Sequence, residues 1–153
     1  MKVLLSDFSQ VILFPKDLSY QGSLNGLYKK IQERGFNFLD MYQLNTELLS
    51  YIQSLEGIQK HIFTTGTVQD APEIKDRVME VFETVFTVPS VGFAKTDPAA
   101  YKQISALVGE PISNIMFIDD SIHNITAARQ AGMHAEQFVD TVSVRKSIEA
   151  WLQ

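Results

Sequence analysis

Hydrophobic residues are concentrated in five short, nearly continuous runs along the chain. Runs of this length without alternation are typical of strands that are covered on both faces, as in parallel sheets. We therefore predict five buried strands, which are Val3–Leu5, His61–Thr64, Thr84–Val88, Ile115–Ile118 and His134–Phe138.

The segments between these runs carry apolar residues at the three- and four-residue spacing of amphipathic helices. The predicted helices are Thr46–Leu55, Ala71–Phe82, Pro98–Val108, Ile122–Ala131 and Ser143–Leu152, with Ser143 as the expected N-cap of the last. Strands and helices thus alternate, which is typical of βαβ units. Because such crossovers are right-handed, the predicted fold class is α/β, a three-layer, doubly wound sandwich around a central parallel sheet.

The stretch from 14 to 40 does not fit this alternation. It separates the first strand from the helix that leads into the second strand, and it contains a predicted helix, Leu24–Arg34, followed by Gly35. We predict a single domain, residues 1–153, with an insertion at about 14–40. Ligands of open α/β sheets bind at the carboxyl ends of the strands. The insertion is therefore either a small lid over that site or only a long connection.

Composition narrows the possible functions. The chain has 153 residues, 45% of them hydrophobic, a net charge of −5 and no cysteine. The absence of cysteine excludes a disulfide framework, cysteine-bound zinc and a thiol nucleophile. An acidic chain without a basic run offers no electrostatic surface for nucleic acid or an anionic membrane. No apolar stretch reaches the 18 residues of a spanning helix, and Asp7 interrupts the apolar N-terminus, so we expect no signal peptide and a cytoplasmic location.

Polar residues follow four of the predicted strands. Asp7 follows the first, Thr64 to Thr67 the second, Lys95 the third, and Asp119 and Asp120 the fourth. If the strands are parallel, these groups meet in one crevice. Clustered carboxylates repel each other, and a hard cation such as Mg²⁺ relieves that repulsion. Lys95 and the backbone N–H groups of the threonine turn suit an anion. Together these groups suit phosphoryl transfer to an aspartate.

Structural explanations exist for most of these residues taken singly. Thr64 and Thr65 could be half-buried strand residues or a helix N-cap. Lys95 could be a solvated loop lysine ahead of a helix that Asp97 caps and Pro98 begins. The acidic pair is harder to explain in this way, because two acids directly after a buried strand are costly unless they are paired.

The order of these segments resembles the motifs of the haloacid dehalogenase (HAD) superfamily, whose members are mostly Mg²⁺-dependent phosphatases. The resemblance runs from Lys2 to about Phe138. Its four segments are MKVLLSDFSQVIL, IFTTGT, GFAKTDPAAYKQISALVG and IMFIDDSIHNITAARQAGM. It implies a Rossmann-like sandwich with the first strand near the centre of the sheet, and a short insertion in place of a full cap domain.

The resemblance implies a role for each phosphoryl-binding residue. Asp7 would be the nucleophile that accepts the phosphoryl group, forming an aspartyl-phosphate. Thr64, with the backbone of Thr65 and Gly66, would bind the phosphoryl oxygens. Lys95 would balance the charge between Asp7 and the phosphate.

The resemblance also implies a metal site. Asp7, Asp120 and the backbone carbonyl of Ser9 would bind Mg²⁺. Asp119 and Asn124 would line or support that site.

The first motif departs from the family pattern at two positions. Ser9 stands where the family's phosphatases have a second aspartate, which protonates the leaving group and later activates water. Gln10 stands where they have a glycine, which lets the chain turn freely. General acid–base catalysis typically contributes about 10²–10⁴-fold, so activity on alkyl phosphates is expected to be weak.

Three functions are therefore compared. The first is a phosphohydrolase that acts through an aspartyl-phosphate. The second is a catalytically impaired binding or regulatory module that keeps the Mg²⁺ and phosphate pocket. The third, a halide-displacing hydrolase, leaves the metal-suited acidic pair without a role. A short insertion leaves the crevice open, so the phosphorylated substrate is either a macromolecule, or a small molecule enclosed by a second subunit of a homo-oligomer.

Overall fold

The computed structural model describes all residues from Met1 to Gln153 and contains seven strands and eight helices. In chain order they are β1 (Lys2–Ser6), β2 (Leu13–Pro15), α1 (Leu24–Arg34), α2 (Phe38–Met41), β3 (Tyr42–Leu44), α3 (Thr46–Ser54), β4 (Ile58–Thr64), α4 (Pro72–Met79), β5 (Thr84–Thr87), α5 (Val88–Val91), α6 (Pro98–Val108), β6 (Ile115–Asp119), α7 (Ile122–Gln130), β7 (His134–Gln137) and α8 (Thr141–Leu152). None of the helices has both the length and the apolar composition that crossing a bilayer requires.

Five strands form one sheet in the order β5-β4-β1-β6-β7, and all four pairings are parallel. The predicted parallel α/β fold and its central first strand are confirmed. Because every strand runs in the same direction, the segments that follow them emerge at one edge of the sheet.

The side chains of β1 show how the sheet joins the two helical layers. Leu4 packs into a hydrophobic cluster that includes residues of α3, α4 and α8. Val3 and Leu5 point to the opposite face and pack with residues of α6 and α7. All three are fully buried, as expected for a strand covered on both sides.

Strands β2 and β3, at the two ends of the insertion, pair as a short antiparallel sheet that was not predicted. Helix α1 has the predicted bounds, with Ser23 as N-cap and Gly35 in the left-handed conformation at its end. Tyr42 stacks on Phe38 at a centroid distance of 4.5 Å and donates a hydrogen bond to the Leu24 carbonyl. The insertion thus packs on the same hydrophobic cluster as α3 and α4.

Several predicted boundaries were wrong. Strand β4 begins three residues earlier than predicted, at Ile58, and α4 ends three residues earlier, at Met79. Ser143 is not the N-cap of the last helix: Asp140 has that role, accepting a hydrogen bond from the Ser143 N–H at 2.7 Å. The helix begins at Thr141, so the free N–H groups of its first turn lie beside Asp140 and not beyond Ser143. The predicted third strand ends at Thr87, because Thr87 and Ser90 form a capping box that starts α5.

Candidate active site

Asp7 lies directly beyond the carboxyl end of the central strand. Its backbone N–H donates to the Ile118 carbonyl at 2.7 Å, and its carbonyl accepts from the Ser6 hydroxyl at 2.8 Å. The first of these contacts continues the pairing with β6 by one residue beyond β1. The Asp7 side chain is consequently held in a fixed, buried position.

Lys95 lies between two carboxylates. Its ammonium is 2.7 Å from Asp7 Oδ1 and 2.6 Å from Asp119 Oδ2, and its side chain is buried. The rings of Phe63 and Phe117 flank the ammonium at 5.5 Å, and the Tyr101 hydroxyl holds the backbone by donating to the Lys95 carbonyl at 2.6 Å. A solvated loop lysine is thereby excluded.

The helix cap that the sequence predicted for the same segment is also present. The Asp97 side chain accepts from the Ala99 N–H at 2.9 Å, and Pro98 begins α6. The segment 95–98 therefore serves the site and the helix at once.

The two acids after β6 have different environments. Asp119 is fully buried and accepts three hydrogen bonds, from Lys95, from the Ser121 N–H at 2.7 Å and from the Asn124 amide at 3.0 Å. Asp120 is exposed to solvent. Carboxylate oxygens of Asp7, Asp119 and Asp120 lie within 4.8 Å of one another. Asp119 thus lines the site and pairs with Lys95, and Asn124 holds its carboxylate in place.

The site has too little positive charge for its carboxylates. Asp7, Asp119 and Asp120 carry three negative charges when ionised, and Lys95 supplies one positive charge, which leaves −2. Burial raises the pKa of Asp7 to about 7 despite the nearby lysine, and partial burial followed by the charge of Asp119 raises the pKa of Asp120. Burial disfavours the Lys95 ammonium, but the two carboxylates outweigh it and raise its pKa. A divalent cation fits this donor set, because its charge matches the deficit and its preferred ligands are carboxylate oxygens.

The two threonines at the end of β4 have different environments. Thr64 is buried at the end of β4 and is not among the residues that line the cleft, whereas Thr65 is exposed and lines it. Successive strand residues point to opposite sides, so a shift of one position exchanges the two side chains. Of the two threonines, Thr65 is therefore the one whose side chain is open to the cleft.

Asn25, a residue of the insertion that was not among the predicted site residues, covers the threonine turn. Its side-chain oxygen accepts from the backbone N–H groups of Thr67 at 3.0 Å and Val68 at 3.2 Å. Its amide lies so close to Gly66 that a β-carbon there would be 2.0–2.2 Å from the amide atoms. No periodicity or motif in the sequence marks a contact of this kind.

The cleft has a volume of about 220 Å³ and a polar lining, with Leu24 as its only hydrophobic residue among thirteen. The insertion forms one wall through residues 22–25, while the opposite wall comes from β6 and the start of α7. The insertion thus borders the site, as the lid alternative requires.

The turn after Asp7 keeps the left-handed backbone that a glycine would favour. Gln10 has φ 64°, and Ser9 and Gln10 both line the cleft. A left-handed conformation costs a non-glycine residue about 1–2 kcal/mol. Gln10 therefore adopts this conformation at an energetic cost.

A family model for haloacid dehalogenase-like hydrolases matches residues 20–132, which is 113 of the 153 residues. The chain belongs to this family. The matched span contains the threonine turn, Lys95 and the acidic pair, and Asp7 lies before it. Asp7 contacts this matched span through its ion pair with Lys95.

Two curated proteins are similar to parts of the chain. Enolase-phosphatase E1 of Chaetomium globosum is 35% identical over 78 residues, which is 50% of this chain and 30% of that protein. Drimenol cyclase drtB of Aspergillus calidoustus is 28% identical over 68 residues, 44% of this chain and 13% of that protein. The chain therefore spans less than a third of the length of either relative.

Solved structures share the HAD fold over nearly the whole chain. A HAD family enzyme of Bacteroides thetaiotaomicron, solved in complex with magnesium and inorganic phosphate, has a TM-score of 0.64 at 16% identity, covering 90% of this chain and 93% of that one. A predicted HAD-like hydrolase of Porphyromonas gingivalis has a TM-score of 0.65 at 14% identity, covering 97% of both chains. At such low identity these similarities establish the fold.

Proposed function

We propose that this HAD-family protein is a Mg²⁺-dependent phosphohydrolase that transfers the phosphoryl group of its substrate to Asp7. The observation that carries the proposal is the buried cluster of Asp7, Lys95 and Asp119 with Asp120 beside it. A chain that needed only a stable fold would gain little from a largely buried cluster with a net charge of −2.

The metal would be held by Asp7, Asp120 and the backbone carbonyl of Ser9. The oxygens of Asp119 are already engaged by Lys95, Ser121 and Asn124, so Asp120 is the freer ligand. When bound, Mg²⁺ would neutralise the carboxylates and the charge of the phosphoryl group, so that one anion can approach another.

The residues of the cleft have separate roles in the transfer of the phosphoryl group. A carboxylate oxygen of Asp7 attacks phosphorus, the bond from phosphorus to the leaving oxygen breaks, and water later hydrolyses the aspartyl-phosphate to release phosphate. Lys95 holds Asp7 in place and compensates its charge. The Thr65 hydroxyl and the N–H of Gly66 are suited to donate to the phosphoryl oxygens. The expected substrate is a phosphorylated small molecule or a phosphorylated group on a larger one.

Ser9 determines which leaving groups are suitable. A serine hydroxyl cannot donate a proton as an acid near neutral pH, so the leaving oxygen must depart without that help. Acyl and aryl phosphates leave as weak bases, whereas sugar phosphates leave as strongly basic alkoxides. We expect activity to favour the first group by about 10²–10⁴-fold.

The second candidate function is a binding or regulatory module, and it is also supported by Ser9. Without an acid or base at this position, Mg²⁺ and a phosphorylated ligand would be bound and turned over slowly or not at all. The site would then be a sensor of its ligand.

Hydrolysis of a panel of phosphate esters in Mg²⁺ tests the proposal. The panel contains acetyl phosphate, nitrophenyl phosphate and a sugar phosphate, and the Asp7→Asn variant is the control. Release of phosphate from acetyl or nitrophenyl phosphate that requires both Mg²⁺ and Asp7 is the expected result. Tight phosphate binding without any turnover would favour the binding module.

A further inference from the structure

The insertion contributes a side chain to the cleft through Asn25, at the start of α1. We propose that Asn25 is a ligand-binding residue that donates a hydrogen bond to an oxygen of the phosphoryl group. The inference rests on the proposed function and adds a residue outside the segments that carry the HAD resemblance. Three features of the structure lead to it.

The orientation of the Asn25 amide is fixed. Its oxygen must face the N–H groups of Thr67 and Val68, because both are donors and approach the same atom at 3.0 Å and 3.2 Å. The NH₂ end therefore points away from them. It has no hydrogen-bond acceptor in the protein, and Asn25 lines the cleft. Two N–H donors are thus available to a ligand.

The position of the amide is fixed as well. It lies flat against Gly66, where any side chain would collide with it. The φ of Gly66 is not positive, so backbone conformation does not demand glycine here. The close approach of Asn25 explains the glycine. The NH₂ group is consequently held beside Thr65 and Gly66, where we place the phosphoryl oxygens.

The charge of the cleft creates a need for such a donor. Lys95 is the only cation among the lining residues, and Asp7 and Asp119 already share it. Apart from the Mg²⁺ of the proposed function, recognition of a phosphoryl group therefore depends on neutral donors. The amide of Asn25 adds donors without adding a charge.

The contact would also link ligand binding to the insertion. A phosphoryl group bound to Asn25 would join the first turn of α1 to the turn at Thr65–Val68. The amide protons of residues 24–34 should then exchange more slowly when phosphate is bound.

Binding of inorganic phosphate in the presence of Mg²⁺, measured by calorimetry, is the test. Asn25→Asp keeps the shape and the acceptor oxygen but replaces the NH₂ group with a second carboxylate oxygen. We expect it to weaken phosphate binding by about 10- to 100-fold or more, because a donor is lost and a like charge is added. The slower exchange of residues 24–34 on phosphate binding should be lost with it.

The matched control is Asn37→Asp, the same chemical change at an exposed helix cap of the insertion, outside the cleft. It should bind phosphate within twofold of the unmodified protein. Asn25→Ala, which removes the charge effect, should also weaken binding.

The outcomes distinguish a failure of the proposed function from a failure of the role of Asn25. If the unmodified protein does not bind phosphate with Mg²⁺, the proposed function and this inference both fail. If it binds phosphate and Asn25→Asp and Asn25→Ala bind it equally well, the role of Asn25 is refuted and the proposed function stands. An equal loss in Asn37→Asp would also refute the contact, since the effect would then be one of overall charge.

Discussion

Replacing Asp7 with asparagine should stabilise the metal-free protein at alkaline pH. The substitution keeps the shape of the side chain and leaves an oxygen to accept from Lys95, which also remains paired with Asp119 at 2.6 Å. It removes one buried negative charge and so reduces the net charge of the cluster from −2 to −1. A residue used for catalysis rather than for folding is expected to behave in this way.

The size of the effect follows from the pKa of Asp7, which is raised from 3.8 to about 7, chiefly by burial. The folded chain binds this proton more tightly than the unfolded chain. The stability that the proton contributes is therefore complete below pH 3.8 and is lost as the pH rises to about 7. A pKa difference of about 3 corresponds to at most about 4 kcal/mol. In EDTA, Asp7→Asn should be more stable than the unmodified protein by about 2–4 kcal/mol at pH 8, and by about 1 kcal/mol or less at pH 4.

Urea unfolding followed by circular dichroism measures both differences, and Asp76→Asn, at an exposed position of α4, is the control. Millimolar Mg²⁺ should stabilise the unmodified protein and have little effect on Asp7→Asn. The reasoning is refuted if Asp7→Asn is no more stable at pH 8 in EDTA, or if its advantage is the same at pH 4.

Three further substitutions, one of them paired with a control at Gly35, test separate parts of the account. Lys95→Met leaves Asp7 without its cation and should lower the free energy of unfolding at pH 8 by about 3–5 kcal/mol in urea titrations; a loss under 1 kcal/mol would contradict the buried ion pair. Gln10→Gly should raise the Tm by relieving the left-handed backbone, for a gain of about 1 kcal/mol, whereas Gly35→Ala, at φ 69°, should lower it by a similar amount; equal effects would contradict strain at Gln10. Ser9→Asp should raise kcat on a sugar phosphate by about 10²–10⁴-fold, and an unchanged kcat would show that another group supplies the proton.

The sheet and the site were predictable from the sequence because both depend on order along the chain. Apolar runs as short as Val3–Leu5 and Ile115–Ile118 identified parallel strands, and parallel strands bring the residues that follow them to one edge. Asp7, Lys95 and the acidic pair could therefore be placed together without any distance being known.

The details that the apolar pattern leaves undetermined depend on single positions or on tertiary contacts. Thr64 and Thr65 are adjacent and therefore point to different sides. An apolar run does not show which of the two faces the cleft. Which of Asp119 and Asp120 is buried depends on Ser121 and Asn124, whose groups are brought to Asp119 by the first turn of α7.

The insertion was the least predictable region for a related reason. Strands of three residues, such as β2 and β3, are too short to show a period. Asn25 contacts backbone groups 42 and 43 positions away in the sequence, and no local pattern marks such a contact.

The most direct test of the central claim is whether Asp7 becomes phosphorylated. The protein is mixed with acetyl phosphate and Mg²⁺, quenched in acid and examined by intact mass spectrometry, with the modified residue located by peptide mapping. Because Ser9 provides no base to activate water, the account predicts that the aspartyl-phosphate accumulates on Asp7. It should be absent in EDTA and in Asp7→Asn. Hydrolysis of acetyl phosphate with no phosphorylated protein at any quench time, or with the phosphoryl group on another residue, would contradict the account.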